Sequence, residues 1–215
     1  MPELFIPHGE YFRLYSRTTD LACQIREEQR LGLEPIGNGG ECVVVAEIAN
    51  PEKVFAVAVR GLSPADAKLQ YYLQKMMNTL FPHNFPAFHA SFSGIPARDW
   101  PEGPLAGTIR ERVYEGDITG ITYFFSDVER ECKAMGIPIH LLDNYSFNFI
   151  NGEDGGQYYV DNLGLLAGSL RELSPDNPNW RLPRIMRFME RKNYSEQDML
   201  TVASSYGRAV VLTNQ

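Results

Sequence analysis

Asp143-Asn-Tyr-Ser-Phe-Asn148, followed thirteen residues further on by Asp161-Asn-Leu-Gly164, is the stretch from which the fold of this chain is read. It brings two carboxylates and an amide oxygen into one short span. In a phosphoryl-transfer site one carboxylate faces the attacking hydroxyl, while an amide oxygen and a second carboxylate hold magnesium against nucleotide phosphates. Asp143, Asn148 and Asp161 suit those three posts in chain order. Asp and Asn are equally the residues that globular proteins place in ordinary turns, so each one taken singly has that plain reading. Phe147–Ile150 and Gln157–Asp161 read as short strands joined by Asn151-Gly-Glu-Asp-Gly-Gly156, a hairpin composition. The hairpin is expected to place Asn148 and Asp161 at strand ends facing one cleft.

Composition bounds what surrounds this segment. A chain of 215 residues with 44% hydrophobic content can bury one substantial core or two small ones. A net charge of −7 disfavours tracking along nucleic acid or resting on an anionic membrane, both of which reward clustered positive charge. Cys23, Cys42 and Cys132 are odd in number and far apart, which indicates neither a disulfide framework nor structural zinc. Met-Pro-Glu-Leu lacks the basic start and apolar stretch of a secretory signal, and no run approaches about 18 apolar residues. The expectation is a soluble chain in a reducing cytoplasm.

Upstream, Leu33–Ile36, Cys42–Ile48 and Val54–Val59 are rich in Val and Ile and bounded by Gly, Asn and Pro, which predicts three strands of an antiparallel meander. Asn50-Pro51-Glu52 is expected to turn between the second and third. The first turn, Ile36-Gly-Asn-Gly-Gly-Glu-Cys-Val-Val44, is either a glycine-rich hairpin or a loop whose amides approach a polyphosphate. Ser63-Pro-Ala-Asp-Ala67 opens a helix carrying Leu69, Tyr72, Leu73 and Met76 at helical spacing, ended by His83-Asn-Phe-Pro86. Phe88–Phe92 and Gly107–Val113 read as strands around a proline-rich loop, 95–104. Ile121–Met135 reads as an amphipathic helix stopped by Gly136-Ile-Pro138, and Ser195-Glu-Gln-Asp198 caps a last helix running to about Tyr206. Thr18-Thr19-Asp20 offers caps for a short helix to about Leu31.

Pro35-Ile-Gly-Asn-Gly39, Lys68-Leu-Gln-Tyr-Tyr72, Ser146-Phe-Asn-Phe-Ile150, Val160-Asp-Asn-Leu-Gly164 and the charged aromatic helix Arg184–Lys192 stand in one order. In that order the chain resembles small bacterial kinase-like proteins of the YrbL type, from the PhoP regulatory network, over residues 31–192. The resemblance implies an α+β, bilobal protein-kinase-like domain: a small antiparallel-sheet N-lobe over 31–112 and a reduced helical C-lobe over 113–215. Residues 1–30 form an N-terminal extension and the hinge lies near 111–117. The cofactors implied are ATP and Mg2+, with Asn148 and Asp161 on the metal. Gly37, Asn38, Gly39, Gly40, Val44, Ala58, Glu111 and Val113 would bind the nucleotide. Asp143 would be catalytic, orienting the acceptor hydroxyl, and Arg60 or Lys68 would neutralise developing charge. The partners implied are a nucleotide and either a phosphate acceptor or a protein.

The chain departs from the kinase pattern at several positions. Ala56-Val-Ala-Val-Arg60 carries arginine where that pattern calls for a phosphate-gripping lysine, and a planar guanidinium is not a conservative substitute there. The helix position expected to carry glutamate holds Lys68 or a neighbour, so no Lys–Glu pair is visible. Cys42 stands where a third glycine is expected, and Glu41 places an anion near the phosphates. Two function classes follow, an ATP-dependent phosphotransferase and a catalytically silent pseudokinase serving as a binding or regulatory module. His140 is read as a packed histidine bracing the catalytic loop. No histidine has a partner at zinc-ligand spacing. Arg184, Arg187 and Arg191 form a positive helix stripe, read as a solvated face or as a docking surface for an anion or partner.

Overall fold

Three runs form an antiparallel meander, β1 (Leu33–Asn38), β2 (Cys42–Glu47) and β3 (Asn50–Ala58), with the valines on β2 and β3. This is a computed structural model, and it describes residues 32–38, 42–58, 64–95, 105–116, 125–137, 148–161, 163 and 181–213. Strands β4 (Phe88–Ile95) and β5 (Leu105–Glu111) complete a five-stranded sheet of order β1-β2-β3-β5-β4. The β5 strand runs antiparallel to β3, with Lys53 facing Glu111 and Val57 facing Gly107.

The turn between β2 and β3 differs from the sequence expectation. It lies at Ile48-Ala49, with Glu47 opposite Asn50, so Asn50-Pro51-Glu52 belongs to β3. The register then jumps, Ala46 facing Val54, so that Pro51–Lys53 bulge out of the register with β2. Proline has no N–H for the ladder, and a bulge is where a strand tolerates it. Gly107 answers a second packing demand, because a Cβ there would collide with the Ala56 carbonyl and reach Phe92 Cζ at 2.7 Å.

Helix α1 (Pro64–Leu80) starts with Pro64 and an acidic first turn, where a missing N–H costs nothing and a carboxylate meets the positive helix end. The described residues divide into two compact units, those up to Lys68 with His89–Arg112, and Leu69–Phe88 with those from Val113 onward. The resemblance implies a small lobe over all of 31–112. Leu69, Leu73, Met76, Met77 and Leu80 instead bury their side chains in the core of the second unit, which carries most of α1 with it.

In the first unit Val44, Ala46 and Val54 form a buried cluster backed by Ile36 and Ala56. Val45 and Phe55 are also buried, so β2 and β3 are covered on both faces. Arg112, just past β5, donates from both terminal nitrogens to Glu34 of β1 at 2.6 and 3.2 Å.

The second unit adds α2 (Phe125–Met135), β6 (Phe149–Asn151), β7 (Gln157–Tyr159), α3 (Leu182–Arg191) and α4 (Glu196–Thr213). Its core joins the apolar face of α1 to Val128, Cys132, Tyr159, Ile185, Phe188 and Tyr206. Each fully buried Leu or Met there contributes about 1.5–3 kcal/mol relative to exposure. Gly136, at φ 78°, ends α2: Ile137 N–H donates to the Cys132 carbonyl at 2.8 Å and Gly136 N–H to Lys133 at 3.1 Å. Asn193, at φ 57°, ends α3 with the same pair of bonds, Tyr194 to Met189 and Asn193 to Glu190. Ser195 caps α4, accepting from Asp198 N–H at 3.1 Å.

The expectation that this last helix ends near Tyr206 is corrected: it continues through Gly207 to Thr213. Ala209, Val210 and Thr213 extend the buried face begun by Val202, Ser205 and Tyr206, which outweighs the poor helix propensity of one glycine. Among the described residues no helix is long and apolar enough to cross a membrane. The 1–30 extension with its helix to Leu31, the Ser63 cap, the loop 96–104, residues 117–124 and His140 lie outside the described residues.

Candidate functional site

The hairpin read from the sequence is present, with Phe149 facing Tyr159, Ile150 facing Tyr158 and Asn151 facing Gln157. Its turn closes through Gly152 N–H to the Gly156 carbonyl at 2.7 Å. Asp154 accepts from Gly156 N–H at 3.0 Å and from the Tyr158 hydroxyl at 2.6 Å. These bonds hold the Asp154 carboxyl below its ordinary pKa, the Tyr158 hydroxyl contributing most. Gly155 takes φ 79°, a conformation that needs glycine.

The hairpin is tethered on two further sides. The segment after Arg112 hooks onto its turn: Gly116 N–H donates to Asn151 at 2.9 Å, and Glu153 N–H donates to Tyr114 at 3.0 Å. On the other strand Tyr159 N–H donates to the Asn84 carbonyl at 2.8 Å, and the Tyr159 ring packs on Phe85 and Phe149 at centroid distances of 6.0 and 5.4 Å.

Asn148 and Asp161 sit at the open end of this hairpin. The Asn148 carbonyl accepts from Val160 N–H at 2.9 Å, so the two candidates are offset by one residue across the strands. Strict strand alternation would send residues so offset to opposite faces. Both lie beyond the last laddered pair, Phe149 and Tyr159, where alternation no longer sets side-chain direction. The strand pattern therefore does not itself supply the expected convergence on one cleft.

Two residues that the sequence reading missed hold this end. Gln74 Nε2 donates to the Asp161 carbonyl at 3.1 Å, and Leu163 N–H donates to Gln70 Oε1 at 2.7 Å. Four residues apart on α1, they share one helix face. Gln70 is 9% exposed and Gln74 1%. A carbonyl can only accept, which turns the Gln74 amide nitrogen toward Asp161. Its oxygen is then buried without a hydrogen-bond partner among the described residues. Such an orphan costs about 1–3 kcal/mol. The available signal was a pair of glutamines inside an otherwise apolar stripe of Leu69, Leu73 and Met77.

A carboxylate and an amide oxygen suit a hard divalent cation. Among the described residues no group of three or more His, Cys, Asp or Glu could hold a metal alone. A cation here would be bound by Asp161 and Asn148 with water and phosphate completing its shell, the arrangement magnesium takes.

Lys68 is exposed and lies about 200° around α1 from Gln70, away from the face that meets Asp161. Gly37 is exposed, with open space where a Cβ would stand. Val44 is buried in the apolar cluster of the first unit. Glu111 ends β5 exposed, opposite Lys53, and Val113 is half-buried just past the strand. Asn38 and Ala58 end their strands, with only their backbone described. Asp143, Arg60, Gly39 and Gly40 lie outside the described residues.

Arg184, Arg187 and Arg191 are exposed on α3 while Ile185, Phe188 and Met189 are buried. With Glu190 and Ala134 they line a surface groove of about 400 Å³. Arg187 and Arg191 each donate Nε–H to a carbonyl of their own helix at 3.2 Å. Cys132 is buried and its thiol is pushed far up by desolvation, which makes it a packing residue rather than a nucleophile. No protein-family model, no curated protein and no solved structure matches the chain.

Proposed function

We propose that this protein is a kinase-like, ATP- and magnesium-binding domain that transfers a phosphoryl group to a hydroxyl acceptor. The observation that carries the reading is the β6–β7 hairpin: Asn148 and Asp161, the candidate oxygen ligands, stand at its end, and the Asp161 segment is bonded to the helix that follows the third strand. The order of parts supports it, with the antiparallel pair β1 and β2, then α1, then the strand leading to the hooked segment 112–116. In this reading the glycine turn covers the phosphates and Asn148 and Asp161 hold the cation. Asp143 orients the acceptor hydroxyl and Arg60 neutralises charge in the transition state.

A second reading, a silent pseudokinase acting as a binding module, is favoured by α1. The face of that helix toward Asp161 carries glutamines instead of a carboxylate, and Lys68 points elsewhere. In that case the arginine stripe of α3 is the natural contact surface.

Calorimetry with ATP tests the shared core of both readings. Affinity should rise with magnesium, and Asp161→Asn should weaken binding in magnesium but much less in EDTA, since only the metal-bridged contact is removed. Equal affinity with and without magnesium, unmoved by the substitution, would rule out the metal role.

A further inference from the structure

We infer that Gln70 and Gln74 are positioning residues for Asp161, fixing the metal-bearing segment to α1 through its main chain. This rests on the metal role proposed above for Asp161. The two amides reach 93 and 87 residues along the chain and grip Leu163 N–H and the Asp161 carbonyl, one on either side of Asn162. A backbone held at both places leaves Asp161 little freedom to swing. Neither bond uses its carboxylate, which stays available as a ligand.

The energetics of Gln74 argue for this role rather than for simple packing. A residue placed only to fill the core at 1% exposure would be apolar, because its neighbours Leu73 and Met77 are. Gln74 instead makes one bond and buries an unpartnered oxygen beside it. Methionine has nearly the same length and flexibility; exchanging Gln74 for it removes the orphaned oxygen but also the donor to the Asp161 carbonyl, two opposed effects that leave folding close to neutral. The amide therefore adds little to stability while it constrains Asp161.

The test uses the full chain, with ATP, magnesium and EDTA as probes, alongside thermal unfolding and amide hydrogen exchange. Gln74→Met and Gln70→Met should weaken magnesium-dependent ATP binding by about 10-fold or more, as loss of a partner behind a metal ligand does, while affinity in EDTA stays unchanged. The melting temperature of Gln74→Met should be unchanged or higher. Gln70→Met should speed exchange of the Leu163 amide, and Gln70→Glu, which keeps the accepting oxygen, should restore both protection and magnesium dependence.

If Gln74→Met and Gln70→Met keep the wild-type magnesium dependence while Asp161→Asn loses it, the positioning role is overturned and the metal site stands. Losses equal in magnesium and EDTA, accompanied by a lower melting temperature, would reduce both glutamines to fold-holding residues. A wild-type chain without magnesium-dependent binding would overturn the metal site and this role together.

Discussion

Gln74 donates its side-chain amide to the main-chain carbonyl of Asp161 at 3.1 Å, joining a helix of the first half of the chain to a residue 87 positions later. With Leu163 bonded to Gln70 one turn earlier, the helix holds the end of the β6–β7 hairpin on which the candidate metal ligands stand. The same hairpin is held at its other end by Tyr114–Gly116 and along its side by Asn84. Support of this kind is what the proposed cation site at Asn148 and Asp161 would need.

Asp143 separates an enzyme from a silent module. A hydroxyl-activating carboxylate acts mainly in the transition state, so Asp143→Ala should lower single-turnover transfer from labelled ATP by at least about 100-fold and leave ATP affinity nearly unchanged. A wild-type rate equal to that of the variant, with acceptors from cell extract supplied, would establish the silent reading.

The two cations assigned to phosphate should behave unequally. Lys68 is exposed and turned away from the Asp161 face of α1, so Lys68→Ala should cost less than about 1 kcal/mol of ATP binding. Arg60→Ala should cost about 1–3 kcal/mol, the loss of a charge-assisted contact. Titration calorimetry decides, and the reverse ranking would put the phosphates on the Lys68 side.

Two glycines should respond to alanine in opposite directions. Gly207 lies inside α4 with open space around a would-be Cβ, so Gly207→Ala should stabilise by about 0.5–1 kcal/mol. At Gly107 the added methyl meets the β3 backbone and Phe92, and Gly107→Ala should destabilise by about 1–3 kcal/mol. Urea unfolding midpoints measure both.

The Glu34–Arg112 pair predicts a pH window. The hydrogen bonds from Arg112 hold the Glu34 carboxyl below its ordinary value, so the ionised form is favoured in the folded state. Its contribution is complete above the unfolded carboxylate pKa of about 4.3 and is lost as pH falls through the lowered folded value. Glu34 is 44% exposed, so Glu34→Gln should cost no more than about 1 kcal/mol at pH 7. The difference from wild type should vanish in unfolding curves taken well below pH 4.

Local chemistry alone marked several features of this protein. Glycines and an Asp in Asn151–Gly156 wrote the hairpin, Gly136 the end of α2, and Ser195 with Asp198 the start of α4, because each acts on neighbours a few residues away. Asn148 and Asp161 were legible as ligand candidates for the same reason, their types and spacing being written in one short stretch. Tertiary structure decided the rest. Gly207 does not stop α4 because buried Ala209, Val210 and Thr213 lie beyond it, and β3 begins at Asn50 because its register with β2 allows a bulge at Pro51. Most of α1 joins the second unit because its apolar face buries there. The grip of Gln70 and Gln74 on Asp161 and Leu163 depends on helix and hairpin meeting in space, a contact between residues too far apart for any sequence period to encode.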